Sequence, residues 1–210
     1  MKLKYLPFFI LFSSTVYGQT AREYFFPAEG KNSSVFQVHD PSENDKLYHS
    51  QTIFFKDMKD TALVTTMFYR EDIMKGGKEE VVKINDSEIL LVGGKANTSP
   101  GRVETYTSNG FPIFKMPSAN GKSEWTNPKQ KGAEQTIYVS EFTKIKVNGK
   151  KQKAVKVSVI EKRKRSGKEL VFYVDYYVAG IGLYKRTSED GKEIEVLAEQ
   201  KYEANLPSVN

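Results

Sequence analysis

The chain contains no cysteine, two histidines and one tryptophan in 210 residues. Without cysteine no disulfide can staple the fold, and a lipid anchor on a processed N-terminal cysteine is excluded. No stretch after the first residues holds eighteen uninterrupted apolar side chains, which excludes a helical membrane span there. There is no Gly-x-Ser-x-Gly elbow and no Ser-x-x-Lys motif, the usual settings of an activated serine. Both histidines sit near acids, with His39 opening the segment His39-Asp40-Pro41-Ser42-Glu43-Asn44-Asp45 and His49 just beyond it. A metal wants ligands converging from rigid elements, whereas these share one polar loop. Calcium held by Asp40, Glu43 and Asp45 is the least poor version. No metal and no cofactor are expected.

The first eighteen residues are the most informative. Lys2 and Lys4 precede a short apolar run, Leu6 to Phe12, and Val16-Tyr17-Gly18 supplies a small-residue exit. That order of charged head, apolar middle and small-residue exit is a secretory signal peptide, too short to span a bilayer. Cleavage is expected near Gly18, leaving Gln19 to Asn210 as one exported β-rich domain, periplasmic or secreted. An exported chain without cysteine suits a bacterial periplasm or a secreted product better than a eukaryotic extracellular domain.

The formal charge is +6. Lysines alternate with apolar residues along most of the chain, as on the solvated face of a sheet, with attraction to anionic envelope polymers as the sharper reading. The densest basic run, Lys162-Arg163-Lys164-Arg165, leads into a Ser166-Gly167 turn. Nucleic acid is not an expected partner for an exported chain of this charge.

Period-two alternation dominates. Lys144-Ile145-Lys146-Val147 meets Asn148-Gly149, the strongest short hairpin signal, because both turn positions need positive φ. The return strand places Val155, Val157 and Val159 on one face and Lys156 and Ser158 on the other. Leu170 to Val178 is apolar or aromatic at almost every position, which predicts cover on both faces. Asp190-Gly191 then turns the chain into Ile194 to Tyr202. Earlier strands are expected over Leu47–Lys56, Ala62–Arg70, Glu80–Ile84, Ile89–Val92 and Val103–Thr107. Turns are expected at Asp60, Gly76-Gly77, Asn85-Asp86 and Asn109-Gly110, and loops at Gly93–Gly101 and Pro128–Gly132. The best helix candidate is one short turn near Ala21 to Phe25. The class is mainly antiparallel β with little helix: a curved sheet, a sandwich or a partly open barrel.

The halves, about 19–108 and 109–210, echo each other. Pro27 to Lys31 recurs at Pro117 to Lys122, and Gly77-Lys78-Glu79-Glu80 at Gly167-Lys168-Glu169-Leu170, with the prolines and the glycines each ninety residues apart. Duplication of a half-sheet explains this, since half a sheet cannot cover its own apolar face. So does coincidence, because Gly-Lys-Glu turns are common in lysine-rich β proteins.

Three segments together carry a family likeness: Glu23 to Gly30, Phe114 to Trp125, and Tyr176-Tyr177-Val178-Ala179-Gly180-Ile181-Gly182-Leu183-Tyr184-Lys185. In this order they resemble the TapB-like exported bacterial proteins, whose pattern carries a Pro…Gly…Trp segment and a closing Tyr, Ala, Gly, Gly, Leu and Lys motif. The chain departs from that pattern at Phe36, where a Trp-like position falls, and at Ala179, which Gly180 follows directly. The resemblance implies a β-dominated envelope protein related to the LolA-like open barrels that carry lipoproteins, and it transfers no catalytic residue.

Gly180 and Gly182 bracket Ile181 and leave one side of the backbone bare, for another backbone, a ring from Tyr176 or Tyr177, or a ligand. Trp125, Tyr173, Tyr176 and Tyr177 are the aromatic candidates for ligand contact. Asp175 is the odd member of its strand, sharing a face with Val171, Tyr173 and Tyr177, and is expected to be hydrogen-bonded to a tyrosine or partly wet. Asp60-Thr61-Ala62 resembles a bacterial O-glycosylation acceptor, with Thr61 as the site. Glu71-Asp72 and Glu79-Glu80 are paired carboxylates at expected turns, a weak basis for glycoside cleavage. The expected function is that of a non-catalytic envelope protein binding a lipid, a glycan or another hydrophobic or polymeric ligand on a concave β face. The alternative is a docking or structural module with a filled core that engages an envelope protein. A hydrolase is the remotest reading.

Overall fold

The computed structural model describes residues 19–40, 46–58, 60–70, 73–99, 102–126, 134–163 and 169–204, with some strand-end side chains left aside. The expected signal peptide, the acids at 41–45 and 71–72, the expected 128–132 loop and the expected Ser166-Gly167 turn lie outside the described residues. The described residues form one short helix, α1 (Ala21–Phe25), and twelve strands. In the first half these are β1 (Ser33–Asp40), β2 (Lys46–Met58), β3 (Thr61–Arg70), β4 (Ile73–Ile84), β5 (Glu88–Ser99) and β6 (Arg102–Lys115). In the second half they are β7 (Lys122–Thr126), β8 (Glu134–Val147), β9 (Lys150–Arg163), β10 (Glu169–Val178), β11 (Gly182–Thr187) and β12 (Glu193–Lys201). All pairings are antiparallel, and the sheet order runs β6-β5-β4-β3-β2-β1-β12-β11-β10-β9-β8-β7.

That order dictates curvature. Laid flat, twelve strands put β6 and β7 about 50 Å apart, yet consecutive residues 116–121 join them, a link of at most about 25 Å. The sheet therefore curls into a nearly closed barrel with its seam between β6 and β7. Side chains bridge the seam: the Trp125 indole donates to the Pro112 carbonyl at 2.8 Å, and the Ser123 hydroxyl to the Met116 carbonyl at 2.9 Å. Pro112 is tolerated because an edge strand has one side without a ladder. Of the three expected architectures, the partly open barrel is the one formed.

Moving β2 on by ninety residues places it at 136–148, over β8, and the same shift lays β3 over β9 and β4 over β10. Each half is a six-stranded meander with the same order and direction.

Several expected turns are strand instead. Gly76 and Gly77 pair with Phe68 and Met67, because the chain has already reversed by Ile73, the partner of Arg70. Glu79 and Glu80 are thus mid-strand. Most of the expected Gly93–Gly101 loop belongs to β5, pairing with β4 and β6 at once. Two flanking ladders outweigh the weak propensity of Gly, Asn and Ser. Gly110, at φ 86, does not end β6 but sits where the β5–β6 register slips between Leu91 and Gly93. Such a bulge adds bend to a closing sheet. Strands β1 and β7 had no alternation strong enough to announce them.

Other expectations hold. Asn148 (φ 49) and Gly149 (φ 78) form the β8–β9 turn with both residues left-handed. Val155, Val157 and Val159 are all buried. On β10 the outward Val174 and Val178 are buried, Val178 in a small outer cluster with Val147 and Ala154. That cover fails at Phe172, which is 61% exposed.

The short helix plugs one end of the barrel. Thr20 and Glu23 form a reciprocal capping box, which lets so short a helix stand. Ala21 and Tyr24 are fully buried. The Ala21 amide donates to the Asp86 carbonyl and the Gly180 amide to the Glu23 carbonyl, both at 2.7 Å. The backbone that lies over the bare side of Gly182 is that of Phe25 and Phe26.

Candidate functional site

Above the plug the barrel encloses a cavity of about 370 Å³. Its floor is Phe25, stacked on Tyr177 at 5.9 Å, with Phe114 edge-on to Tyr177 at 4.9 Å. Its walls are inward-facing side chains of strands from both halves, among them Phe36, Val64, Phe111 and Val157. Alternation explains this: Val64, Thr66 and Phe68 are alternate residues of β3, as Tyr173, Asp175 and Tyr177 are of β10. Phe68 lines the cavity while 47% exposed, so the lumen reaches solvent near the end of the barrel opposite α1.

One wall is polar and ordered across three adjacent strands. Asp175 of β10 faces Arg186 of β11, which faces Glu195 of β12. The Arg186 guanidinium donates to both Asp175 carboxylate oxygens, Nε to Oδ1 at 2.7 Å and Nη2 to Oδ2 at 3.0 Å. Its Nη1 lies 3.5 Å from Glu195 Oε2, and the Ser50 hydroxyl donates to Glu195 Oε1 at 2.7 Å. The guanidinium also lies 4.1 Å over the Tyr173 ring. A bidentate pair of this kind is rigid as well as strong. Asp175 is therefore held by an arginine rather than by a tyrosine hydroxyl. On the opposite wall Lys78 pairs with Glu80 at 2.8 Å, while Glu79, on the other face of β4, pairs with Lys95 at 3.1 Å.

Burial removes water from this wall and shifts its titrations. Burial opposes the charge on Arg186, but the Asp175 carboxylate outweighs it and raises the guanidinium further. The Tyr173 phenol is pushed up to about 12, first by burial and then by Asp175. Tyr138 and Tyr177 are raised for the same two reasons. An unfolded tyrosine ionises near 10. Between pH 10 and 12 the folded protein thus keeps a proton on Tyr173 that the unfolded chain has lost, so stability falls as pH rises through that window. Denaturant unfolding across it should show the decline, and Tyr173→Phe should make it shallower. An unchanged slope in the variant would exclude Tyr173 as its source.

Of the residues singled out from the sequence, Tyr173 and Tyr177 line the cavity. Trp125 is buried behind it, stacked on the lining Tyr138 at 5.4 Å. Tyr176 lies on the other face of β10, with the Lys185 ammonium 5.6 Å from its ring centroid. Gly180 and Gly182 belong to the plugged end, where Gly180 exchanges backbone hydrogen bonds with α1 and the chain just after it. Thr61 opens β3 beside the turn at Asp60 and is half-buried. His49 stacks on Tyr69 at 4.7 Å. Among the described residues no group of three His, Asp or Glu side chains could hold a metal. Sequence reasoning missed Arg186, Glu195 and Phe36. The isolated acid at Asp175 was the one available signal, since a charge on an apolar strand face requires a partner.

No protein-family model matches the chain, and no curated protein matches it. Among solved structures, a Bacteroides fragilis protein described as exported, with a YmcC-like fold, is similar. It is 9% identical, with a TM-score of 0.44, covering 86% of this chain and 100% of that one.

Proposed function

We propose that this is an exported, non-catalytic envelope protein that holds a hydrophobic ligand in its barrel lumen. The observation that carries the reading is the cavity itself: about 370 Å³, walled largely by aromatic and aliphatic side chains and reached past Phe68. Its size and lining suit a small apolar molecule oriented by a few fixed polar groups. The non-catalytic part rests on the engagement of the acids, since Asp175 and Glu195 already accept hydrogen bonds from Arg186 and Ser50. A long polymer suits the lumen less well, because α1 blocks its far end.

Native mass spectrometry of the protein drawn from its own envelope is expected to reveal a bound small molecule. Thr66→Trp, which extends a ring into the void, should abolish retention while the barrel stays folded. A bare mass, with no uptake from an envelope extract, would sink the reading. It would instead favour a docking module, for which the packed aromatic plug of Tyr24, Phe25, Phe114 and Tyr177 speaks.

A further inference from the structure

We infer that the lumen selects uncharged amphiphiles and excludes anionic ones, an inference that rests on the ligand-binding reading above. The charged side chains of the described lining are Lys78, Glu80, Asp175, Arg186 and Glu195, two positive against three negative. Both cations are already engaged. Lys78 pairs with Glu80, and three nitrogens of Arg186 are directed at Asp175 and Glu195. An entering carboxylate, sulfonate or phosphate would find no free counter-charge among the described lining residues. It would face the carboxylates of Asp175 and Glu195, both largely buried, where water screens poorly. A hydroxyl or amide head could instead donate to remaining lone pairs of Asp175 and Glu195, or exchange hydrogen bonds with Tyr173, while its apolar part lies among Phe36, Val64 and Val157.

The exterior argues in the opposite direction. Without Lys2 and Lys4 of the expected signal peptide the formal charge is +4 (+6 less 2), so binding to the surface would favour anions. Lumen and surface therefore predict opposite preferences, and a matched pair of dyes separates them. The full chain would be titrated with uncharged N-phenyl-1-naphthylamine and with 8-anilino-1-naphthalenesulfonate, which has the same two ring systems plus a sulfonate.

The uncharged dye is expected to bind at least about tenfold more tightly. Thr66→Trp should abolish its signal, which places it in the lumen. Glu195→Gln, which removes one of these negative charges while its Oε1 can still accept from Arg186 and its Nε2 can donate to the Ser50 hydroxyl oxygen, should narrow the preference at least about threefold. A sulfonate that binds as tightly as the uncharged dye, or a preference unmoved by Glu195→Gln, overturns the charge selection and leaves the lumen reading standing. No binding of either dye overturns both.

Discussion

Replacing Gly182 with alanine is expected to cost about 3 kcal/mol and to loosen α1 from the barrel end. Gly182 has φ 82, where an L side chain is strained by about 1–2 kcal/mol. A Cβ there would also lie 2.9 Å from the Phe25 carbonyl oxygen and 3.5 Å from its carbon. That contact is with backbone, so it is relieved only if the chain at Phe25 moves and Tyr24 and Phe25 shift in the core. Gly30 is the control: its φ is 84, but an added Cβ meets nothing within 4 Å. Gly30→Ala should therefore cost only the backbone strain, about 1–2 kcal/mol. Denaturant unfolding of the two variants measures the difference, and limited trypsin digestion at Arg22 reports on α1. Equal costs, with no new cleavage, would show that α1 does not depend on the bare side of Gly182.

Arg186→Met is expected to destabilise the protein by about 3–5 kcal/mol. The substitution keeps much of the side-chain volume, so a cavity is not the cause. Asp175, only 5% exposed, would lose its bidentate partner, and Glu195 would keep Ser50 alone. An uncompensated buried charge costs more than the pair contributes. The companion Asp175→Leu in the same chain should then restore most of the loss, because two apolar side chains need no partner. A double-mutant cycle measured by denaturant unfolding isolates this coupling. Additive losses would mean that Asp175 and Arg186 act independently, contrary to the geometry of their contact.

How much was legible depends on whether the signal is local. The Asn148-Gly149 turn and the inward valines of β9 were readable because turn chemistry and alternation act over two to five residues. The helix at Ala21–Phe25 was readable as a short turn, although its role as a plug was not. Gly76-Gly77 and Gly93 onward were misread as turn and loop because glycine marks both a reversal and a bend within a strand. Only neighbouring ladders distinguish the two.

On its own, the amino-acid pattern determined the mainly antiparallel β class, most of the second-half strands, and the conflict at Asp175 that demanded a partner. The tertiary structure alone decided that β1 pairs with β12 and that the seam falls between β6 and β7. It alone brought Asp175, Arg186 and Glu195 side by side on one wall. The reason is register: antiparallel pairing sets together residues that are separate in sequence, and a slip of one position would turn Arg186 away from both acids. Closure then converts faces that alternate along each strand into an inside and an outside, and the lumen exists only once that has happened.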